Sequence, residues 1–183
     1  MKRRNFLKSA ASTFPLALSQ SFALAVESSN LPLTQAHLVP AGQDIEGEPH
    51  TLGYSRISFK TSPRETSGNL FMIEHSNLLA GGPPLHVHHA QDEWFYVMEG
   101  EVLFQVGEKR VRLKAGDSVL APRKISHGWA AVGATPGKML IAFTPAGKME
   151  QFFQEIAHGK VNMMDADLFR RYDMELLGPP IKA

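Results

Sequence analysis

Between residues 52 and 144 the chain is cut into short alternating apolar segments separated by Gly, Pro, Asn and Asp, a rhythm that fits stacked antiparallel strands and little else. Residues 55–60 carry Ile57 and Phe59 on one face, and residues 70–74 form a second apolar run. Further strands are predicted over 85–89, 93–98, 102–106, 110–113, 118–121, 128–131 and 138–144. Turn residues separate them, among them Gly68-Asn69, Glu99-Gly100, Gly107-Glu108, Ala115-Gly116-Asp117 and Pro122-Arg123. Strands of this length and spacing predict an all-β fold, an antiparallel sandwich or barrel. From Lys148 the period becomes helical, with Met149, Phe152, Phe153 and Ile156 on one stripe and Gly159 as a stop. A second short helix is expected from Asp165, burying Leu168, Phe169 and Tyr172 and ending before Gly178. The expected organisation is a leader over 1–25, an arm over 26–50, the barrel over 51–147 and a C-terminal helical extension over 148–183, whose helices cover one end of the barrel.

The leader opens Lys2-Arg3-Arg4-Asn5-Phe6-Leu7-Lys8, continues weakly apolar and reaches Ala23-Leu24-Ala25. That is the layout of an export signal, with cleavage expected after Ala25. Its paired arginines followed by x-Phe-Leu-Lys resemble the twin-arginine signal, which implies export of the folded protein to the periplasm by the twin-arginine machinery. Pro15 and the modest hydrophobicity of the run argue against a stable membrane anchor.

The whole chain carries 19 Lys and Arg against 18 Asp and Glu, for a net charge of +1. Four of the bases, Lys2, Arg3, Arg4 and Lys8, lie in the leader without an acid, so the remainder carries 15 against 18, net −3. No basic run is left for a nucleic acid. The absence of cysteine excludes disulfides, thiolate nucleophiles and sulfur-ligated metals, so any metal here must be held by histidine and carboxylate.

Four of the eight histidines, His86, His88, His89 and His127, fall in two segments that the strand reading brings together. Alternation points His86 and His88 the same way and His89 to the opposite face, so His89 is not expected to share a metal with them. A turn through Ala90-Gln91-Asp92 sets Glu93 inward at the head of the next strand, with Phe95 and Val97 on the same face. His127 can add a fourth ligand from another strand. Three imidazoles and a carboxylate suit one divalent first-row ion, with positions left open for water or substrate. Phe95 is expected on the pocket wall by its parity with Glu93. Asp92 and Glu99 read as solvated turn residues, and His37, His50, His75 and His158 as ordinary surface or core residues.

At this point the residues resemble a known family. Gly81-Gly82-Pro83-Pro84-Leu85-His86-Val87-His88, then Glu93, then Gly100 is similar to the first cupin motif, and Gly116, Pro122 and His127 to the second. Lys124 stands where the second motif usually has glycine, and Ala131 where it usually has asparagine. The resemblance implies a small antiparallel cupin jelly roll whose metal is held by His86, His88, Glu93 and His127. Residues 52–74 and the closing 171–180 are similar to the quercetin-dioxygenase-like branch. That implies a metal-dependent dioxygenase acting on a small enolic or phenolic, flavonol-like compound, with Glu93 both ligand and catalytic base. The other reading is a non-catalytic cupin that binds a metal or small ligand, in a sensory role.

Nitrogen and oxygen sites hold copper more tightly than manganese or iron, and folding before export avoids that competition. Manganese or iron is therefore the favoured ion, ahead of nickel, cobalt, copper or zinc. Cupins often dimerise through barrel strands, and the arm over 26–50 can exchange between the subunits of such a homodimer.

Overall fold

A computed structural model describes residues 35–47, 49–159 and 161–182. The leader and, of the arm, residues 26–34 and 48 lie outside the described residues. Strands β1 (His50–Leu52), β2 (Ser55–Thr61), β3 (Phe71–Leu78), β4 (Pro84–His88), β5 (Asp92–Glu99), β6 (Glu101–Val106), β7 (Lys109–Lys114), β8 (Ser118–Ala121), β9 (His127–Ala131) and β10 (Gly137–Thr144) follow in chain order. Helices α1 (Met149–His158) and α2 (Ala166–Arg171) come next, and β11 (Met174–Pro180) closes the chain. The strands form two antiparallel sheets, β1-β2-β3-β10-β5-β8 and β11-β4-β9-β6-β7, the two walls of a jelly roll.

Alternation sets the inside of the barrel. Along β5, Glu93, Phe95 and Val97 are buried while Trp94, Tyr96 and Met98 face outward. Along β3, Phe71, Ile73 and His75 face in. Phe59, Phe71, Phe143 and Phe153 meet ring to ring, with centroids 5.1 Å apart for Phe59 and Phe71 and 5.7 Å for Phe143 and Phe153. Aromatic packing of this kind binds α1 to the six-stranded sheet. The apolar stripe of α1 is buried as its period requires: Met149, Phe152, Phe153 and Ile156 all face the core.

The nine strands read from alternation are all present, and the structure adds β1 and β11 at the two ends. The expected second helix stops at Arg171, and residues 174–180 are a strand. Asp165 caps the helix by accepting a hydrogen bond from the Asp167 amide, and Asp173 adopts a left-handed φ of 59° that turns the chain out of it. Met174 and Leu176 then lie opposite His88 and His86 along β4. That pairing covers an edge of the sheet, and the edge position of β11 tolerates Pro179 and Pro180.

Two backbone positions shape the site. Gly82 approaches β9 so closely that a Cβ there would lie 1.8 Å from the Trp129 carbonyl oxygen, so only glycine fits. Lys124, where the cupin motif has glycine, holds φ at 66° while its amide donates to the His88 carbonyl at 2.7 Å.

Candidate metal centre

β4 supplies His86 and His88, β5 supplies Glu93 and β9 supplies His127, so both walls of the barrel contribute. His86 sits directly opposite His127 in the β4–β9 pairing. All four side chains are buried, and each offers one ligand atom within 4.8 Å of the others. His86 Nε2 lies 3.2 Å from His88 Nε2, His88 Nε2 lies 3.1 Å from Glu93 Oε2, and His127 Nε2 lies 2.8 Å from the same oxygen. The structure thus brings together the four residues expected from the sequence and leaves His89 outside, exposed and 4.0 Å from Glu175.

The hydrogen bonds behind the rings decide what the ring nitrogens offer. His86 Nδ1 donates to the Pro84 carbonyl at 2.8 Å, and His127 Nδ1 donates to the Ile125 carbonyl at 3.0 Å. A carbonyl only accepts, so each Nδ1 carries the proton and each neutral ring turns a lone pair inward at Nε2. His127 Nε2 then faces a carboxylate oxygen at 2.8 Å, an arrangement of two acceptors that needs positive charge between them. Either a proton on Nε2 or a cation supplies it. The donor set therefore fits a divalent ion held by His86, His88, Glu93 and His127.

The proton affinities follow the same geometry. Burial pushes the Glu93 carboxyl up, but hydrogen bonds and charge from His127 and His88 outweigh it and hold the group well below the usual carboxylate range. Burial, reinforced by the charges of His127 and His88, lowers His86 to about 3. Burial pulls His127 down, yet its hydrogen bond to Glu93 and that carboxylate's charge raise it overall.

Above the cluster lies a narrow cavity lined on one side by Tyr54, His75 and Trp129. Phe152 and Phe153 of α1, Phe169 of α2 and Met174 of β11 close it on the other, so the helices do cover the barrel end that bears the site. Phe95 is a correction: it faces inward as its parity requires, but it is not part of the cavity wall. It packs edge-on against Phe104 at 4.9 Å and against the His127 ring at 6.2 Å, supporting the site from the core.

Sequence reasoning also passed over His75 and Tyr54. His75 stands on the inward parity of β3, a signal that was readable, but its nearness to the cluster depends on how the two sheets close. Asp92, by its sequence position a solvated turn residue, does more in the structure. It accepts from the Arg123 amide at 2.8 Å and from its guanidinium at 3.0 and 2.7 Å, which holds Asp92 down to about 2. That pair joins the start of β5, beside Glu93, to the loop that delivers His127.

The fold is one shared with known proteins. Residues 78–143 match the family model described as the cupin domain, and the two-sheet barrel around them is a cupin jelly roll. The chain is similar to an RmlC-like cupin of Shewanella frigidimarina, with 23% identity over 63% of this chain and 96% of that one and a TM-score of 0.52. It is also similar in fold to Pac13 of Streptomyces, described as a nucleoside dehydratase, with 12% identity over 81% of this chain and 95% of that one and a TM-score of 0.52. In sequence it is 31% identical over 61 residues to an uncharacterized protein of Methanocaldococcus jannaschii, a stretch covering 33% of this chain and 49% of that protein. The chain thus matches about half the length of that curated relative.

Proposed function

We propose that this protein is an exported mononuclear-metal cupin that works as a dioxygenase-like oxidoreductase on a small enolic or phenolic, flavonol-like compound. The observation that carries the reading is the buried cluster of three histidines and one glutamate opening onto a cavity whose other walls are mainly aromatic and apolar. His86, His88, His127 and Glu93 would hold one divalent ion, with manganese or iron favoured. When bound, such an ion supplies charge that acidifies a chelating hydroxyl and a redox-active centre for oxygen chemistry.

The chain's own groups do the rest. The carbonyls of Pro84 and Ile125 fix the rings of His86 and His127 so that Nε2 faces the site. Glu93 Oε2 is engaged by His88 and His127, while Oε1 has no hydrogen-bond partner among the described residues and is the atom free to accept a substrate hydroxyl proton. A carboxylate with so low a proton affinity is a weak base alone, so the substrate must be acidified first. Phe152, Phe153 and Phe169 exclude water and pack a flat ring.

The narrowness of the cavity favours a second reading, a non-catalytic cupin in which the bound metal or small ligand serves binding or sensing. Elemental analysis of protein recovered from the periplasm, with oxygen uptake screened on flavonols, catechols and enolic diketones, separates the two. One near-stoichiometric metal that His88→Ala loses, together with oxygen uptake, is the expected result. Metal without oxygen uptake leaves the binding reading, and absence of metal overturns the oxygenase and the four-residue cluster as a metal site.

A further inference from the structure

We propose that His75, backed by Ser55, is a ligand-positioning residue that presents an uncharged hydrogen-bond donor to the cavity. The cavity would thereby select a neutral, largely apolar ligand carrying an acceptor oxygen at a second point, apart from the four-residue cluster. The inference rests on the reading above only in taking the cavity as the ligand site.

His75 is 2% exposed, edge-on to Trp129 at 5.5 Å and to Phe153 at 6.3 Å. Its Nδ1 lies 3.1 Å from the hydroxyl of Ser55, itself buried on β2. That hydroxyl has no other partner among the described residues. Were the proton on Nδ1, the buried Ser55 hydroxyl would have no acceptor, so Ser55 donates to Nδ1 and the ring carries its proton on Nε2. The sealed, unpartnered side-chain atoms of the described residues are His50 Nε2, His88 Nδ1 and Gln91 Oε1. Nε2 of His75 has no hydrogen-bond partner among the described residues and is not one of these sealed atoms, so it opens on the cavity that His75 lines. Burial keeps the ring neutral, lowering its pKa to about 4 against the pull of the Glu93 charge.

The surroundings favour an uncharged occupant. No lysine or arginine lines the cavity, and its charge is confined to the cluster. A surface groove lined by Thr51, Gly53, Ala157 and Val161 shares Tyr54, Ile156 and Met163 with the cavity and contains no charged side chain. This adjoining groove is therefore as uncharged as the cavity wall outside the cluster.

The test uses the zinc-loaded chain with 15N-labelled histidine and two aromatic probes of similar size, acetophenone, which carries an acceptor oxygen, and ethylbenzene, which does not. Acetophenone is expected to move the His75 Nε2–H resonance and to bind about tenfold more tightly than ethylbenzene. His75→Phe should erase that preference. Ser55→Ala, which keeps the ring but frees its tautomer, should erase it too, with zinc content unchanged in both. Equal affinities in the parent chain, binding of neither probe, or a preference that survives in His75→Phe overturns the proposal. A chain that holds no zinc yet keeps the preference retains His75 in this role and refutes the metal reading, whereas zinc held without any preference does the reverse.

Discussion

Replacing Lys124 by glycine should stabilise the fold, because the backbone there already has the conformation glycine prefers. At φ 66° an L-residue crowds its Cβ against the neighbouring carbonyl, at a cost of roughly 1–2 kcal/mol. Glycine removes that strain but enlarges the entropy of the unfolded chain, which takes back about 0.4–1 kcal/mol. The side chain is exposed and makes no hydrogen bond or ion pair among the described residues, so nothing else is lost. The net expectation is a gain of about 0.5–1 kcal/mol, or roughly 2–3 °C in melting temperature for a domain of this size. Urea denaturation of the metal-free chain measures it, with Lys124→Ala as the control that keeps the Cβ and should be nearly neutral. A loss of stability in Lys124→Gly, or an equal gain in Lys124→Ala, would refute the strain argument. Because the Lys124 amide donates to the His88 carbonyl at 2.7 Å, the turn under test connects two segments that carry site residues.

Glu93→Gln removes the one negative charge of the cluster while keeping its shape, and should weaken manganese or zinc binding by at least about a hundredfold, read by competition with a chromogenic chelator; unchanged affinity would mean that the carboxylate is not a ligand. The metal-free fold should lose stability as pH falls from about 6.5 to 4, since burial holds His86 to about 3 and His75 to about 4 in the native state while the unfolded chain takes up those protons. The slope is up to about 1.4 kcal/mol per pH unit for each ring, and a flat denaturation profile between pH 6.5 and 4 would contradict the neutral assignments. Phe153→Ala should cost about 3–4 kcal/mol in urea denaturation, because the ring is 8% exposed and packs on Phe71, Phe143 and His75. A cost below about 1 kcal/mol would show that α1 is not fastened to the barrel through this residue.

What the sequence made legible follows from the range over which its signals act. Alternation is local, so it placed His86 and His88 on one face, turned His89 away and set Glu93 and Phe95 inward. The same rule could not say which inward residues border the cavity. Phe95 lies beneath the site and His75 beside the space above it, although both have inward parity, and only the closure of the two sheets distinguishes them. The final strand was hidden for another reason. Residues 174–180 contain two prolines and a glycine and lack clear alternation, so their strand state comes from the open edge of β4 rather than from their own preference.

The mixture of local and distant origins also bears on how the site is held. The side chains of the cluster come from strands whose pattern fixes their direction, yet their spacing depends on contacts that link separate segments. Asp92 and Arg123 tie the Glu93 strand to the His127 loop, Lys124 ties that loop to His88, and β11 pairs along β4 beside both of its histidines. Asp92, Arg123 and Lys124 stand outside the four residues, and none of them lines the cavity. Orientation in this site is therefore a property of short sequence, whereas spacing is a property of the closed barrel. A substitution that loosens the loop between β8 and β9 should consequently weaken metal affinity without altering which atoms face the metal.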